Sequence, residues 1–162
     1  MSATRDPLQF TGENVDEEIR SFIEKYPNGD KELPKISKNA IEAVYAFGYG
    51  FYENGKYESA MHFFRFLTLA DSQNRKYWMG LGAAYQMLKD HERALQSYGY
   101  AALLNENEPT AHFHAAECFF ALKNREQGNE ALTSAKTVAL RKPKKYKTLL
   151  KRIALIKENP TE

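Results

Sequence analysis

KYWMGLGAAYQMLKDHERALQSYGYA, residues 76–101, is the stretch on which the fold turns. Trp78, Leu81, Gly82, Tyr85, Ala94, Tyr98 and Ala101 set out a fixed order of bulky, small and aromatic side chains. Thirty-four residues earlier the same order is met in Val44, Phe47, Gly48, Phe51, Ala60, Phe64 and Leu67, and thirty-four later in His112, Ala115, Ala116, Phe119, Gly128, Leu132 and Ala135. Gly48 thus recurs as Gly82 and Ala116, and Phe51 as Tyr85 and Phe119.

That period and order are the signature of the tetratricopeptide helical hairpin. One hairpin cannot bury its apolar face alone, so consecutive hairpins stack into a superhelix with one concave wall left for a partner. The expected fold is all-α: three helix-turn-helix repeats with an N-terminal helix and a C-terminal capping helix. It points to binding rather than chemistry.

The flanks read outward from the array. Residues 1–13, with Pro7 and Gly12 and little periodic apolarity, read as a mobile arm. Residues 14–36 read as a helix and its connection, with Asn14 as cap, Glu17 reaching back in a capping box, and Val15, Ile19, Phe22, Ile23 and Tyr26 on one face. The repeats occupy 37–142, approximately 41–74, 75–108 and 109–142, with helices predicted over 38–54 and 57–70, 76–88 and 92–104, and 109–122 and 125–140. Asn54 and Gly55 can end the first of these through a left-handed residue. Residues 143–162 form the capping helix and tail, opened by Pro143, with Tyr146, Leu149, Leu150, Ile153 and Ile156 toward the last hairpin.

Composition narrows the function. At 162 residues and 43% hydrophobic the chain is one domain with enough apolar surface for a core. A single cysteine, Cys118, allows no internal disulfide, and neither a secretory leader nor a membrane span is read, so a cytosolic protein without direct membrane insertion is expected. The net charge of +2 makes no global case for nucleic acid. Positive charge gathers in Arg141, Lys142, Lys144, Lys145, Lys147, Lys151 and Arg152. That cluster is either a solvated helix face or a surface for phosphate or an acidic partner.

In stacked hairpins of this type the first helix of each pair lines the concave wall through its second, fifth, ninth and twelfth repeat positions. Those positions are Glu42, Tyr45, Tyr49 and Tyr52, then Lys76, Met79, Ala83 and Gln86, then Thr110, Phe113, Glu117 and Phe120. Six of the twelve are Tyr, Phe or Met, while Phe47, Phe51, Trp78, Leu81, Tyr85 and Phe119 are assigned to the core between helices. A contiguous aromatic stripe is seldom left to water unless something covers it. Tyrosine offers apolar area with a hydrogen-bonding tip, and Met79 adapts to varied side chains, so the wall should accept an extended peptide with separated apolar or proline side chains. Tyr45 and Tyr49 stand where the tetratricopeptide domains that hold acidic C-terminal tails place polar and basic side chains, which argues against a carboxylate clamp.

Enzyme chemistry finds little footing. His112, His114, Glu117 and Cys118 cluster; His114 and Cys118, four apart, can share a helix face while His112 points away from His114, and two ligands do not make a zinc site. Gly48 with Gly50 and Gly80 with Gly82 fall inside helices, where a small residue permits close packing, and neither pair is followed by the Lys-Ser or Lys-Thr of a nucleotide loop. No catalytic residue, metal or cofactor is assigned.

Several strings are not demanded by the repeat: FYENGKY (51–57), GLGA (80–83), SYGYA (97–101), Glu108 with Pro109, and HAAEC (114–118). With the size, three repeats and N-terminal helix, they make the chain similar to the class II chaperones of bacterial type III secretion translocators, of the LcrH, SycD and IpgC kind. The resemblance implies a protein of the bacterial cytoplasm that keeps hydrophobic translocators soluble and secretion-competent, clasping a Pro-x-Leu-x-x-Pro type segment in its groove. It implies that Tyr45, Tyr49, Tyr52 and Tyr57 stand where the family places aromatics, that Tyr98 matches the aromatic of its SYxY string, and that the protein is a homodimer formed through the N-terminal helical part. Phe63 and Phe66, off the core positions of their helix, suggest exposed rings for such a contact with Ile19 and Phe22; packing beneath the N-terminal helix is the alternative. A scaffold or co-regulator assembling cytosolic proteins through the same groove is the other functional reading.

Overall fold

Eight helices follow one another in a computed structural model that describes residues 14–29 and 32–158; the arm expected over 1–13 lies outside the described residues. They are α1 (Val15–Lys25), α2 (Lys38–Glu53), α3 (Tyr57–Ala70), α4 (Arg75–Met87), α5 (His91–Leu104), α6 (Thr110–Ala121), α7 (Arg125–Ala139) and α8 (Lys147–Glu158). No strand occurs among the described residues.

Local chemistry sets the boundaries. The side chains of Ser37, Asn74, Asp90 and Asn124 accept from Ala40, Lys76, Arg93 and Gln127 N–H, which satisfies an otherwise free first-turn donor in four helices. Asn14 makes no such bond, so the capping box expected there does not form; α1 instead carries Asp16, Glu17 and Glu18 in its first turn, against the positive end of the helix dipole. The turn inside each hairpin recurs with the repeat. Gly55, Lys89 and Lys123, thirty-four residues apart, all stand at positive φ, at 73°, 65° and 60°. The N–H groups of Lys56, Asp90 and Asn124 that follow them each donate 2.9 Å to the carbonyls of Phe51, Tyr85 and Phe119. This is the left-handed C-terminal closure that usually takes glycine.

The last helix begins at Lys147 rather than at Pro143. Past Leu140 the chain continues in turns, with Arg141 and Lys142 N–H donating to Val138 and Ala139 carbonyls at 3.2 and 3.1 Å. Regular helix resumes at Lys147, directly after the buried Tyr146.

Packing runs in chain order from α2 on α3 to α7 on α8, while α1 lies against α3. One core joins Ile19, Phe22 and Ile23 of α1 to Val44, Phe63, Phe64, Phe66, Leu67, Leu81, Tyr98 and Cys118. A second, smaller one joins Phe113, Ala116, Leu132 and Ala135 to Ile153 of α8. Full burial of a side chain such as Ile19 or Phe22 is worth about 1.5–3 kcal/mol, so α1 is an integral layer. A Cβ on Gly82 would meet the Tyr98 ring at 2.7 Å, which explains the small residue at that slot, whereas a Cβ on Gly50 would meet nothing within 4 Å, so close packing does not account for Gly50.

Candidate functional site

Side chains on the first helices of the hairpins touch in series and make one wall. Tyr45 of α2 meets Tyr77 of α4 with ring centroids 5.7 Å apart, Gln86 of α4 donates to Glu117 of α6 at 3.2 Å, and Arg152 of α8 reaches Glu117 at 3.2 Å.

The open aromatic part of this wall lies at its N-terminal end. Tyr45 and Tyr49, one turn apart on α2, stack at 6.4 Å; Tyr49 is 50% exposed, and Tyr45 is half-buried against Phe64 at 6.2 Å. The Lys76 ammonium sits 5.8 Å from the Tyr45 ring centre, a cation over a π face. Ile36, Ile41, Glu42, Tyr45, Lys76 and Tyr77 are among the residues lining a cavity of about 470 Å³ here. Ile36, Ile41 and Tyr77 are additions to the residues expected from sequence. A turn further along, Tyr52 makes an edge contact with Tyr57 at 5.4 Å. Burial, and then the neighbouring Tyr57, Glu117 and Tyr49, raise the Tyr52 hydroxyl above its ordinary pKa and keep it a neutral donor.

Beyond the half-buried Met79 and Ala83 the wall turns polar. Tyr98 donates its hydroxyl to Gln86 Oε1 at 2.7 Å, Gln86 donates onward to Glu117, and Glu117 Oε2 also lies 2.8 Å from His114 Nδ1. Burial pushes the Glu117 carboxyl up, but His114, Gln86 and Arg152 together outweigh it and hold the group below the usual carboxylate range. Burial likewise raises the Tyr98 phenol. Thr110, the first inner position of the third repeat, accepts from Arg75 at 2.9 Å.

The remaining expected groove residues are closed by the chain itself. Phe113 is 1% exposed beneath α8, whose Arg152 guanidinium stands 4.5 Å from its ring centre. Phe120 is half-buried in the second core, its ring against Gly128. The aromatic wall is therefore open on α2 and closed at Phe113, over which the capping helix lies. The proposed self-contact residues are also covered: Ile19, Phe22, Phe63 and Phe66 are all buried, with Phe66 on Phe22 at 4.7 Å and Phe63 on Phe51 at 5.1 Å. The reading of Phe63 and Phe66 as exposed rings does not hold, and packing under α1 and α2 is what they do. Phe47, assigned to the core, is instead 43% exposed.

Burial, reinforced by Glu117, pushes the Cys118 thiol up to about 12, the opposite of an activated nucleophile. Among the described residues no group of three or more His, Cys, Asp or Glu side chains could hold a metal ion, and no helix is long and apolar enough to cross a membrane.

Comparison with known proteins follows the same line. A tetratricopeptide repeat family profile matches residues 41–74 and 76–107. Low calcium response locus protein H of Yersinia pseudotuberculosis is 32% identical over 126 residues, 78% of this chain and 74% of that protein. PcrH of Pseudomonas aeruginosa, solved in complex with the chaperone binding region of PopD, superposes with a TM-score of 0.74 at 36% identity over 78% of this chain and 95% of its own. The type III secretion translocator chaperone SycD of Yersinia enterocolitica, solved with a peptide of the translocator YopD, gives 0.73 at 31% identity over 77% and 95%. SycD has also been solved in an alternative dimer, with 0.73 at 30% identity over 77% and 94%.

Proposed function

The chain belongs to the tetratricopeptide family of class II type III secretion translocator chaperones, and from that membership we propose that it holds a hydrophobic translocator soluble and competent for export. The bound element is an extended segment of Pro-x-Leu-x-x-Pro type, laid along the inner wall. The observation that carries this reading is the half-open tyrosine cavity between α2 and α4, bounded by Tyr45 and Tyr77. The cavity, with Ile36, Ile41, Tyr45 and Tyr77 among the charged Lys38, Glu42, Asp71 and Lys76, has room for more than one apolar side chain of an extended peptide. Tyr49, Tyr52 and Met79 continue the contact surface toward the polar Gln86 and Glu117. Catalysis has no part in this function, and the bacterial cytoplasm is its setting.

Self-association is proposed through the outer face of α2. There the exposed Phe47 with Ala46, Gly50, Phe51, Asn54 and Lys56 lines an open cavity of about 530 Å³. A small-residue stripe beside one exposed ring suits close approach of a second helix.

Co-expression with a type III translocator that is insoluble alone separates a chaperone from a scaffold. The chaperone reading expects the translocator to move into the soluble fraction in a complex that co-purifies. A translocator left in the pellet would overturn it.

A further inference from the structure

Of the 23 basic residues, eight lie between Arg141 and Lys157, where no acidic residue occurs; the other 15 share the rest of the chain with all 21 acidic ones. The molecule is thus an acidic body with a basic end. Three of the eight are committed internally: Arg141 donates to Asn107 at 3.0 Å, Lys145 pairs with Glu108 at 3.6 Å, and Arg152 with Glu117. Lys142, Lys144, Lys147 and Lys151 are exposed, and their side chains make no ion pair or hydrogen bond with the described residues.

Helix α8 has two faces. Tyr146 and Ile153 are buried against the last hairpin, while Lys147, Lys151 and Leu155, four residues apart, run along the opposite side over about 12 Å. Leu155 is 59% exposed, and Leu140, just before the basic turn, is exposed too.

We propose that this end docks the protein on an anionic lipid surface, with Lys142, Lys144, Lys147 and Lys151 at the headgroups and Leu155 in the interface. The proposal is independent of the groove and its client. The free cations are all lysines, point charges suited to a diffuse negative field, while both arginines, whose planar forks suit bidentate carboxylate or phosphate recognition, are already engaged. No ring stands on the outward side of α8 to stack on a base, which separates this surface from a single-strand nucleic-acid reader. The acidic body is repelled by the same lipid field, so approach is oriented with α8 leading.

Co-sedimentation of the full chain with phosphatidylcholine vesicles containing about one third phosphatidylglycerol tests this; each lysine changed to glutamine should lower the partition coefficient about fivefold. The triple variant Lys144→Gln, Lys147→Gln, Lys151→Gln should lose about a hundredfold, and Leu155→Ser should weaken binding without changing its salt dependence. All these side chains are exposed, so an unchanged melting temperature is the folding control. No partition onto these vesicles, or equal partition by the triple variant, overturns the proposal. Tighter binding of a short DNA duplex or a polyglutamate peptide, indifferent to Leu155→Ser, overturns it in favour of a polymer partner.

Discussion

Arg152 of the capping helix bonds Glu117 of the third repeat at 3.2 Å, while its guanidinium covers the Phe113 ring at 4.5 Å. One side chain thus closes the end of the inner wall and satisfies the carboxylate in which the wall's polar chain terminates. Glu117 takes hydrogen bonds from Gln86 and Arg152 and contacts His114. Glu117→Gln should destabilise by about 1 kcal/mol at neutral pH, a modest loss because Arg152 is half exposed and screened.

The pH dependence has a defined sign. The Glu117 carboxyl lies below its ordinary 4.5 when folded, so its contribution is present above that value and lost as pH falls through the folded one. Melting temperatures of parent and Glu117→Gln should converge in acid. At higher pH, burial and then Arg20 lower the His62 pKa, and burial and then Arg75 lower that of His112. Folding therefore favours their neutral forms, and stability should fall as pH drops below the unfolded value of 6.5. Gln in place of either histidine should flatten that part of the profile.

Two hairpin turns carry lysine where the first carries glycine. Lys89→Gly and Lys123→Gly relieve a left-handed backbone at φ of 65° and 60°. Each should stabilise by roughly 0.5–1 kcal/mol after the added freedom of the unfolded chain is counted. Gly55→Ala should cost about 1 kcal/mol. Urea midpoints with unchanged slope are the readout.

Glycines inside helices divide by what they face. Gly82→Leu places a branched side chain where even a Cβ lies 2.7 Å from the Tyr98 ring, and should cost several kcal/mol or prevent folding. Gly50→Ala meets nothing within 4 Å and should raise helix stability by up to about 1 kcal/mol.

The thirty-four-residue order made the helix pairs legible because the slots record which side chains meet inside a hairpin. It is silent about what lies between hairpins and at the ends. Phe63 and Phe66 looked surplus because the pattern assigns few slots to α3, yet α3 packs against α1, α2 and α4 and is apolar nearly all round. Phe113 looked open because every repeat has the same inner positions, whereas α8 fills the place of a following repeat. Tyr77 escaped notice between the slots of Lys76 and Met79, although a ring in the first turn of α4 is the signal that could have found it. The turns at Lys89 and Lys123 were hidden because lysine does not announce a left-handed residue as Gly55 does.

Tyr45 is held against Phe64 and Tyr77, so its truncation would disturb packing as well as binding. Tyr49, half exposed on the open wall, separates the two effects. The most direct measurement is calorimetric titration of a Pro-x-Leu-x-x-Pro peptide into the parent and into Tyr49→Ala. The account predicts an unchanged helical spectrum and melting temperature with affinity reduced at least tenfold, about 1.4 kcal/mol. Equal affinity for the two proteins, both fully folded, would contradict the tyrosine wall as the place where the client is held.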